Sequence, residues 1–171
     1  MGQGKGKYSI ELLGKHHDRA AFSCGKEPLD RYIREQASQD AKRHYAAPFV
    51  LVEKGRKVVL GYYTLSSFGI NLEDLPESIV KRLPRYPVLP ATLLGRLAVD
   101  KGHHGKGLGE LLLIDALRRS LEQADVIGSA VVVVEAMDKR AWKFYKNFEF
   151  FPFQSQKDRL FLPMKTILKL F

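Results

Sequence analysis

The sequence predicts a mixed α/β fold, a sheet with helices packed on its faces. Three observations carry this. Segments with a helical apolar period alternate with short runs rich in β-branched and aromatic residues. Ala130 to Ala136 is almost unbroken in its apolar character, the mark of a strand buried on both faces. Between Val99 and Gly109 a glycine-rich turn joins a strand directly to an amphipathic helix.

Taken in order, residues 26–44 put Pro28 in a first-turn position and Leu29, Tyr32, Ile33, Ala37 and Ala41 on one helical face. Phe49–Val52 and Val58–Ser67 read as strands, with Glu53-Lys54-Gly55-Arg56 as the hairpin turn between them. Asp74, three residues before Glu77, signals a short helix leading to Ile79, Val80 and Leu83. Pro84, Pro87 and Pro90 hold a loop extended before a strand over Thr92–Val99. The span 107–124 is helical, with Asp115, Arg118, Arg119 and Glu122 as its polar stripe and Leu108, Leu111, Leu112, Leu117 and Leu121 away from it. Asp138 is placed to cap a helix whose apolar face is Ala141, Phe144, Tyr145 and Phe148. Arg159–Met164 and Thr166–Phe171 read as two closing strands. No repeat or long linker divides the chain, so one domain over residues 1–171 is expected.

The chain has 171 residues, 45% hydrophobic and 27% charged, which excludes wholesale disorder. One cysteine, Cys24, excludes an internal disulfide framework and a four-cysteine zinc site. No apolar run nears the ~18 residues that span a bilayer, and Met1–Lys7 lacks the apolar stretch of a signal peptide, so a cytoplasmic protein that does not engage membranes is expected. The formal charge is +9 and unevenly placed: residues 139–171 carry eight basic and two acidic groups, whereas residues 101–138 carry four and six. A basic surface concentrates polyanions, nucleic acid foremost, and also serves plain solubility.

Leu97-Ala98-Val99-Asp100 followed by His104-Gly105-Lys106-Gly107-Leu108-Gly109 is the most informative segment. Glycines allow close backbone approach, and the free N–H groups of a helix start, with the positive end of its dipole, make a pyrophosphate cradle. A P-loop does not fit, because Lys106 is followed by Gly107 and not by a magnesium-binding hydroxyl. The dinucleotide fingerprint fails as well, since the glycines fall at 102, 105, 107 and 109.

Leu97-Ala98-Val99 with His104-x-x-Gly107-x-Gly109 resembles motif A of the GNAT N-acetyltransferase superfamily, Gln/Arg-x-x-Gly-x-Gly/Ala, with His104 where Gln or Arg is usual. The stretch Ala141-Trp142-Lys143-Phe144-Tyr145-Lys146-Asn147-Phe148-Glu149-Phe150 is similar to that family's Ala-x-x-Phe-Tyr-x-x-x-Gly-Phe signature, Glu149 replacing the glycine. Phe22-Ser23-Cys24-Gly25 with Leu29-Asp30, Leu94–Asp100, and Leu160-Phe161-Leu162-Pro163-Met164-Lys165-Thr166 look like the GNAT toxins of bacterial type II toxin–antitoxin pairs. The resemblance implies a mostly antiparallel mixed sheet, flanked by helices, with a splayed parallel strand pair holding acetyl-CoA. It implies that the backbone of Leu97, Ala98 and Val99 meets pantetheine, that His104, Gly105, Lys106, Gly107, Leu108 and Gly109 meet the pyrophosphate, and that Asp138 and Trp142 also serve the cosubstrate. Tyr145 is the implied general acid for the departing thiolate. The implied acceptor is the α-amine of an aminoacyl-tRNA. The implied partners are a ribbon-helix-helix antitoxin, operator DNA through that antitoxin alone, and a second copy of the chain in a homodimer.

No carboxylate lies within Thr92–Val99 to act as general base. An α-amine ionises near 7.7–8.0, against about 10.4 for lysine, so an aminoacyl ester offers neutral amine where a lysine does not. Glu135 remains as a possible base. Arg96, one residue before the cofactor segment, is a candidate substrate contact, and Lys143 and Lys146 are candidates for the acceptor's phosphates. His103 and His104 lack the second spaced ligand set of a metal site and read as solvated loop residues. Cys24 reads as a buried thiol and not a nucleophile. The competing readings are a GNAT enzyme acting on a small-molecule or protein amine, and a non-catalytic nucleic-acid-binding or interaction module.

Overall fold

A computed structural model of the chain describes residues 6–83 and 86–171, so Met1–Lys5 of the amino terminus and Pro84 of the proline loop lie outside it. Seven strands form a sheet in the order β1-β2-β3-β4-β5-β7-β6. They are β1 (Tyr8–Leu12), β2 (Ala47–Glu53), β3 (Gly61–Asn71), β4 (Val88–Val99), β5 (Val131–Glu135), β6 (Phe151–Pro152) and β7 (Arg159–Pro163). β1 with β2, β2 with β3, β5 with β7 and β6 with β7 run antiparallel, whereas β4 and β5 run parallel. The helices are α1 (Glu27–Arg31), α2 (Ala37–Lys42), α3 (Glu77–Val80), α4 (Leu108–Ala124), α5 (Lys139–Asn147) and α6 (Met164–Leu168). By contacts the chain separates into two compact units, one running to Ser66 and including Arg96–Ala116, the other made of Ser67–Gly95 and Leu117–Phe171.

In the first unit, α1 passes through a π-helical turn, Tyr32–Gln36, into α2. Its expected apolar face is buried: Tyr32, Ile33 and Ala37 pack with Phe22, Val50, Val59, Tyr62 and Ala98. The hairpin turns at Gly55, whose φ of +78° only glycine adopts freely. β3 starts at Gly61 and not at Val58, which instead makes an isolated bridge to Asp18. A side chain at position 61 would sit 3.0 Å from Leu112 and 3.1 Å from the Ala98 carbonyl, so the glycine lets α4 and β4 approach the start of β3. Asp115, on the polar stripe of α4, accepts the Tyr63 hydroxyl at 2.5 Å. β1 went unanticipated in sequence, since its five residues follow a lysine-rich terminus and only partly bury.

In the second unit, β5 is flanked by β4 in the register Ala91↔Val131 to Leu94↔Val134 and by β7 in the register Val131↔Pro163 to Glu135↔Arg159. Its four valines are buried, as the apolar run requires. Val131 and Val133 join Ile70, Leu75, Leu89, Ala91, Phe153 and Phe161 in one cluster. Pairing with β5 ends at Leu94, while β4 runs on to Val99.

The short helix expected over Ile79 and Val80 forms as a single turn, α3, but is entered through Pro76 and not from Asp74. Pro90, expected in the loop, lies within β4. Asp74 caps nothing: its carbonyl accepts the Gln154 N–H and its carboxylate the Ser155 hydroxyl. Thr166–Phe171 is no strand. Pro163 ends β7 and opens α6, and Ile167 alone of that helix is buried. No helix among the described residues is long and apolar enough to cross a membrane.

Candidate active site

In the first unit, β4 delivers Arg96, Leu97, Ala98 and Val99 to a tight turn. Asp100 organises it: one carboxylate oxygen accepts the Ser23 N–H at 3.0 Å, the other the Gly102 N–H at 3.0 Å. The Lys101 N–H closes the link by donating to the Ser23 carbonyl at 2.8 Å. Gly105 and Gly107 follow in the left-handed region, at φ of +80° and +75°, with open space within 4 Å of where a Cβ would stand. The first helical bond of α4 runs from Leu111 N–H to Gly107 C=O, so the N–H groups of Leu108, Gly109 and Glu110 precede the ladder. Open space at the glycines, N–H groups ahead of the helical ladder and the positive end of a 17-residue helix fit an anionic diphosphate.

The exposed His104 is not simply solvated: its Nε2 donates to the Val99 carbonyl at 2.8 Å. One of the backbone acceptors expected for pantetheine therefore already holds a bond. His103 lies 3.7 Å from Asp100. Lys106 is exposed beside the loop glycines.

Arg96 is half-buried, with its guanidinium carbon 3.5 Å from the centroid of the Tyr32 ring. Tyr32 in turn stacks on Tyr62 at 6.1 Å and donates its hydroxyl to Asp40 at 2.9 Å. Burial pushes the Tyr32 phenol up, with the Asp40 hydrogen bond adding to the effect, against an opposing pull from the Arg96 charge. Tyr32 is the functional candidate that sequence reading missed, because its helical spacing marks it only as core.

In the second unit, α5 carries the remaining candidates. Asp138 caps it, accepting the Ala141 N–H at 2.8 Å. The Trp142 indole N–H donates to the Lys157 carbonyl at 3.0 Å, so this donor is already engaged within the protein. Tyr145 is 6% exposed, and its hydroxyl makes no hydrogen bond to any described residue. Burial alone raises its phenol above the ordinary value, so it keeps its proton at neutral pH. Lys139, Arg140, Lys143 and Lys146 are all exposed and have no acidic partner among the described residues. Lys146 also lies 5.7 Å over the Trp142 ring.

Glu135 is not a free base: it is half-exposed and its Oε1 accepts Arg159 Nη2 at 2.7 Å. Cys24 is half-buried, not sealed, and burial pushes its thiol up to about 11, which disfavours the nucleophilic thiolate. Glu11, His16 and His17 cluster within ligand range of one another. The Gly14 N–H donates to His17 Nδ1 at 2.9 Å, however, so Nε2 carries the proton and donates to Glu11 at 2.7 Å. Both ring nitrogens of that buried histidine are thereby spent on hydrogen bonds.

The sequence profile of the acetyltransferase (GNAT) family matches residues 15–150. A probable toxin TacT of Sinorhizobium fredii (strain NBRC 101917 / NGR234) is 33% identical over 98% of this chain and 97% of its own. A tRNA-acetylating toxin of Mycobacterium tuberculosis (strain ATCC 25618 / H37Rv) is 38% identical over 78% of each. Among solved structures, a tyrosine-to-phenylalanine mutant of KacT superposes with a TM-score of 0.91 at 30% identity, covering 96% of this chain and 99% of that one. AtaT complexed with acetyl-methionyl-tRNAfMet gives 0.88 at 30% identity, over 95% and 98%. A tyrosine-to-phenylalanine mutant of AtaT bound to the C-terminus of the antitoxin AtaR and acetyl-CoA gives 0.81 at 26%, over 95% and 97%. A family profile over most of the chain and relatives of 33% and 38% identity converge on one assignment: the chain belongs to the acetyltransferase (GNAT) family.

Proposed function

We propose that this protein moves the acetyl group of acetyl-CoA to the α-amine of an aminoacyl-tRNA, as the translation-blocking toxin of a toxin–antitoxin pair. One observation carries the reading. Helix α5 holds a buried, protonated Tyr145 whose hydroxyl has no partner among the described residues, and on the same helix four exposed cations without acidic partners. A proton donor and a polyanion-binding face thus occur on one helix.

In this reading the N–H groups at the start of α4 receive the pyrophosphate of acetyl-CoA, and the backbone of Leu97, Ala98 and Val99 lies along pantetheine. When bound, acetyl-CoA supplies a thioester carbonyl open to attack by an amine. In the same reading Tyr145 is the proton donor to the departing sulfur. A thiol ionises near 8.5 and a phenol near 10, so Tyr145 works by sharing its proton in a hydrogen bond as charge develops, and the proton released by the acetylated amine balances the thiol formed. With Glu135 committed to Arg159, the low pKa of the aminoacyl amine takes the place of a general base.

This reading assigns Asp138 and Trp142 to the cosubstrate and Lys143 and Lys146 to the acceptor's phosphates. We place the protein in the cytoplasm as a homodimer, each chain a single catalytic domain over residues 1–171. A ribbon-helix-helix antitoxin would bind it and carry all operator DNA contact. The antitoxin-bound and tRNA-bound relatives support this, as do the exposed Leu168, Leu170 and Phe171 at the C-terminus. The deciding experiment incubates the protein and labelled acetyl-CoA with charged tRNA, uncharged tRNA and lysine peptides. Label on charged tRNA alone is expected; label on peptides and never on charged tRNA overturns the reading.

A further inference from the structure

We infer that Tyr32 is a positioning residue that holds Arg96 flat, so that its guanidinium receives the phosphodiester nearest the acceptor's amine. The inference rests on the aminoacyl-tRNA reading and adds to it the group recognised and the residue that orients the recogniser.

The arrangement begins with backbone periodicity. Arg96 and Ala98 share one face of β4, because alternate strand residues point the same way. Ala98 is buried in the cluster that contains Tyr32 and Tyr62. Arg96 therefore lies beside that aromatic cluster, where its guanidinium lies over Tyr32 at 3.5 Å. A cation at this distance is held by the ring's negative face, and a planar guanidinium is best suited to it.

Tyr32 is itself fixed from several directions. Its hydroxyl donates to Asp40 Oδ2 at 2.9 Å, while Gln36 Nε2 donates to Asp40 Oδ1 at 3.0 Å. On its flank is Tyr62, which donates its own hydroxyl to the Leu29 carbonyl at 2.7 Å and meets Phe22 edge-on at 5.6 Å. Tyr32 also opens the π-helical turn Tyr32–Gln36 within an otherwise α-helical run. Such turns are rare and concentrate at functional sites.

Against this investment, Arg96 makes no hydrogen bond or ion pair with any described residue. A half-buried guanidinium stacked on one side, with its N–H edge unspent, is a preorganised fork for a phosphate. The position one residue ahead of Leu97 puts this fork beside the backbone proposed for pantetheine, where the phosphate closest to the reacting amine belongs.

Two minimal acceptors test this: an aminoacyl ester of adenosine without phosphate, and the same ester on cytidylyl-adenosine, which adds one phosphodiester. The native protein is expected to favour the dinucleotide in kcat/KM by roughly tenfold or more, the value of a hydrogen bond to a charged group. Arg96→Ala should bring that ratio close to one, with acetyl-CoA affinity and thermal stability little changed. Arg96→Lys keeps the charge but not the plane, and should lose most of the preference. Tyr32→Phe, which keeps the ring, should retain it; Tyr32→Leu should not. An Arg96→Ala protein that keeps the native ratio overturns the phosphate role. Full preference in Arg96→Lys or Tyr32→Leu overturns the positioning role. Should the native protein acetylate lysine peptides and neither ester, the acceptor reading itself falls, and this inference with it.

Discussion

The amide N–H of Phe150 donates to the Tyr145 carbonyl across 3.2 Å, and the two rings lie 5.5 Å apart. With the Glu149 N–H donating to the Lys146 carbonyl at 3.0 Å, this is a Schellman closure of α5 with its hydrophobic clasp. The closure fixes the backbone of the residue proposed as proton donor. It also demands a left-handed residue at position 149, and Glu149 supplies it at φ +67°.

A non-glycine residue in that conformation costs about 1–2 kcal/mol, and glycine gives part of this back through its looser unfolded chain. Glu149→Gly is therefore expected to stabilise the protein by about 1 kcal/mol and to raise Tm by about 2–4 °C, with kcat unchanged. Thermal and urea unfolding check this; a less stable variant would show that the Glu149 side chain does more than close the helix.

Several elements that carry the candidate residues are legible in the sequence, for local reasons. Asp138 capping α5 and the glycines turning into α4 are decided within a few residues of sequence. The four buried valines of β5 read directly as a central strand. Elements that depend on distant partners were not legible. Tyr8–Leu12 is a strand because β2 stands beside it, and Met164–Leu168 is helical because Pro163 ends β7. Arg96 over Tyr32 joins residues far apart in the chain, and no spacing announces it. The Glu135–Arg159 pair likewise depends on the β5–β7 register, which removed a possible base.

Tyr145→Phe should lower kcat by roughly 10²–10⁴-fold, the range of general acid–base catalysis, and leave acetyl-CoA affinity intact. Burial raises the phenol in the folded protein. The stability it contributes is thus fully present below the unfolded value near 10 and declines as pH rises beyond it. The variant should lose less stability than the native protein between pH 10 and 11. Full turnover in Tyr145→Phe, measured by thiol release, would remove this residue from the mechanism.

Gly107→Ala tests the pyrophosphate loop. Nothing lies within 4 Å of the added Cβ, so the strain is purely that of φ +75°. About 1–2 kcal/mol against the binding conformation corresponds to an acetyl-CoA Kd raised roughly tenfold. Gly128→Ala, at a glycine with open space and no positive φ, serves as the control and should leave that Kd unchanged. Calorimetric titration and thermal unfolding of both variants decide; an unchanged Kd with no loss of Tm would show that the loop does not need this conformation to bind the diphosphate.

The basic excess of residues 139–171 has a specific consequence on this reading. Lys143 and Lys146 are exposed on α5 without acidic partners among the described residues. Each phosphate contact releases condensed counterions, and its loss flattens the dependence of log affinity on log salt by roughly 0.7–0.9. Reversing both to glutamate should weaken aminoacyl-tRNA binding, reduce that slope by about 1.5, and spare acetyl-CoA affinity. Lys54 and Lys57, exposed around the β2–β3 turn, permit the same change in net charge elsewhere. If reversal there weakens tRNA binding equally, the effect belongs to overall charge; if acetyl-CoA binding falls in parallel with tRNA binding, the α5 cations serve the cosubstrate. A loss confined to the acceptor, and to the α5 variant, is the outcome that assigns this face to the tRNA backbone.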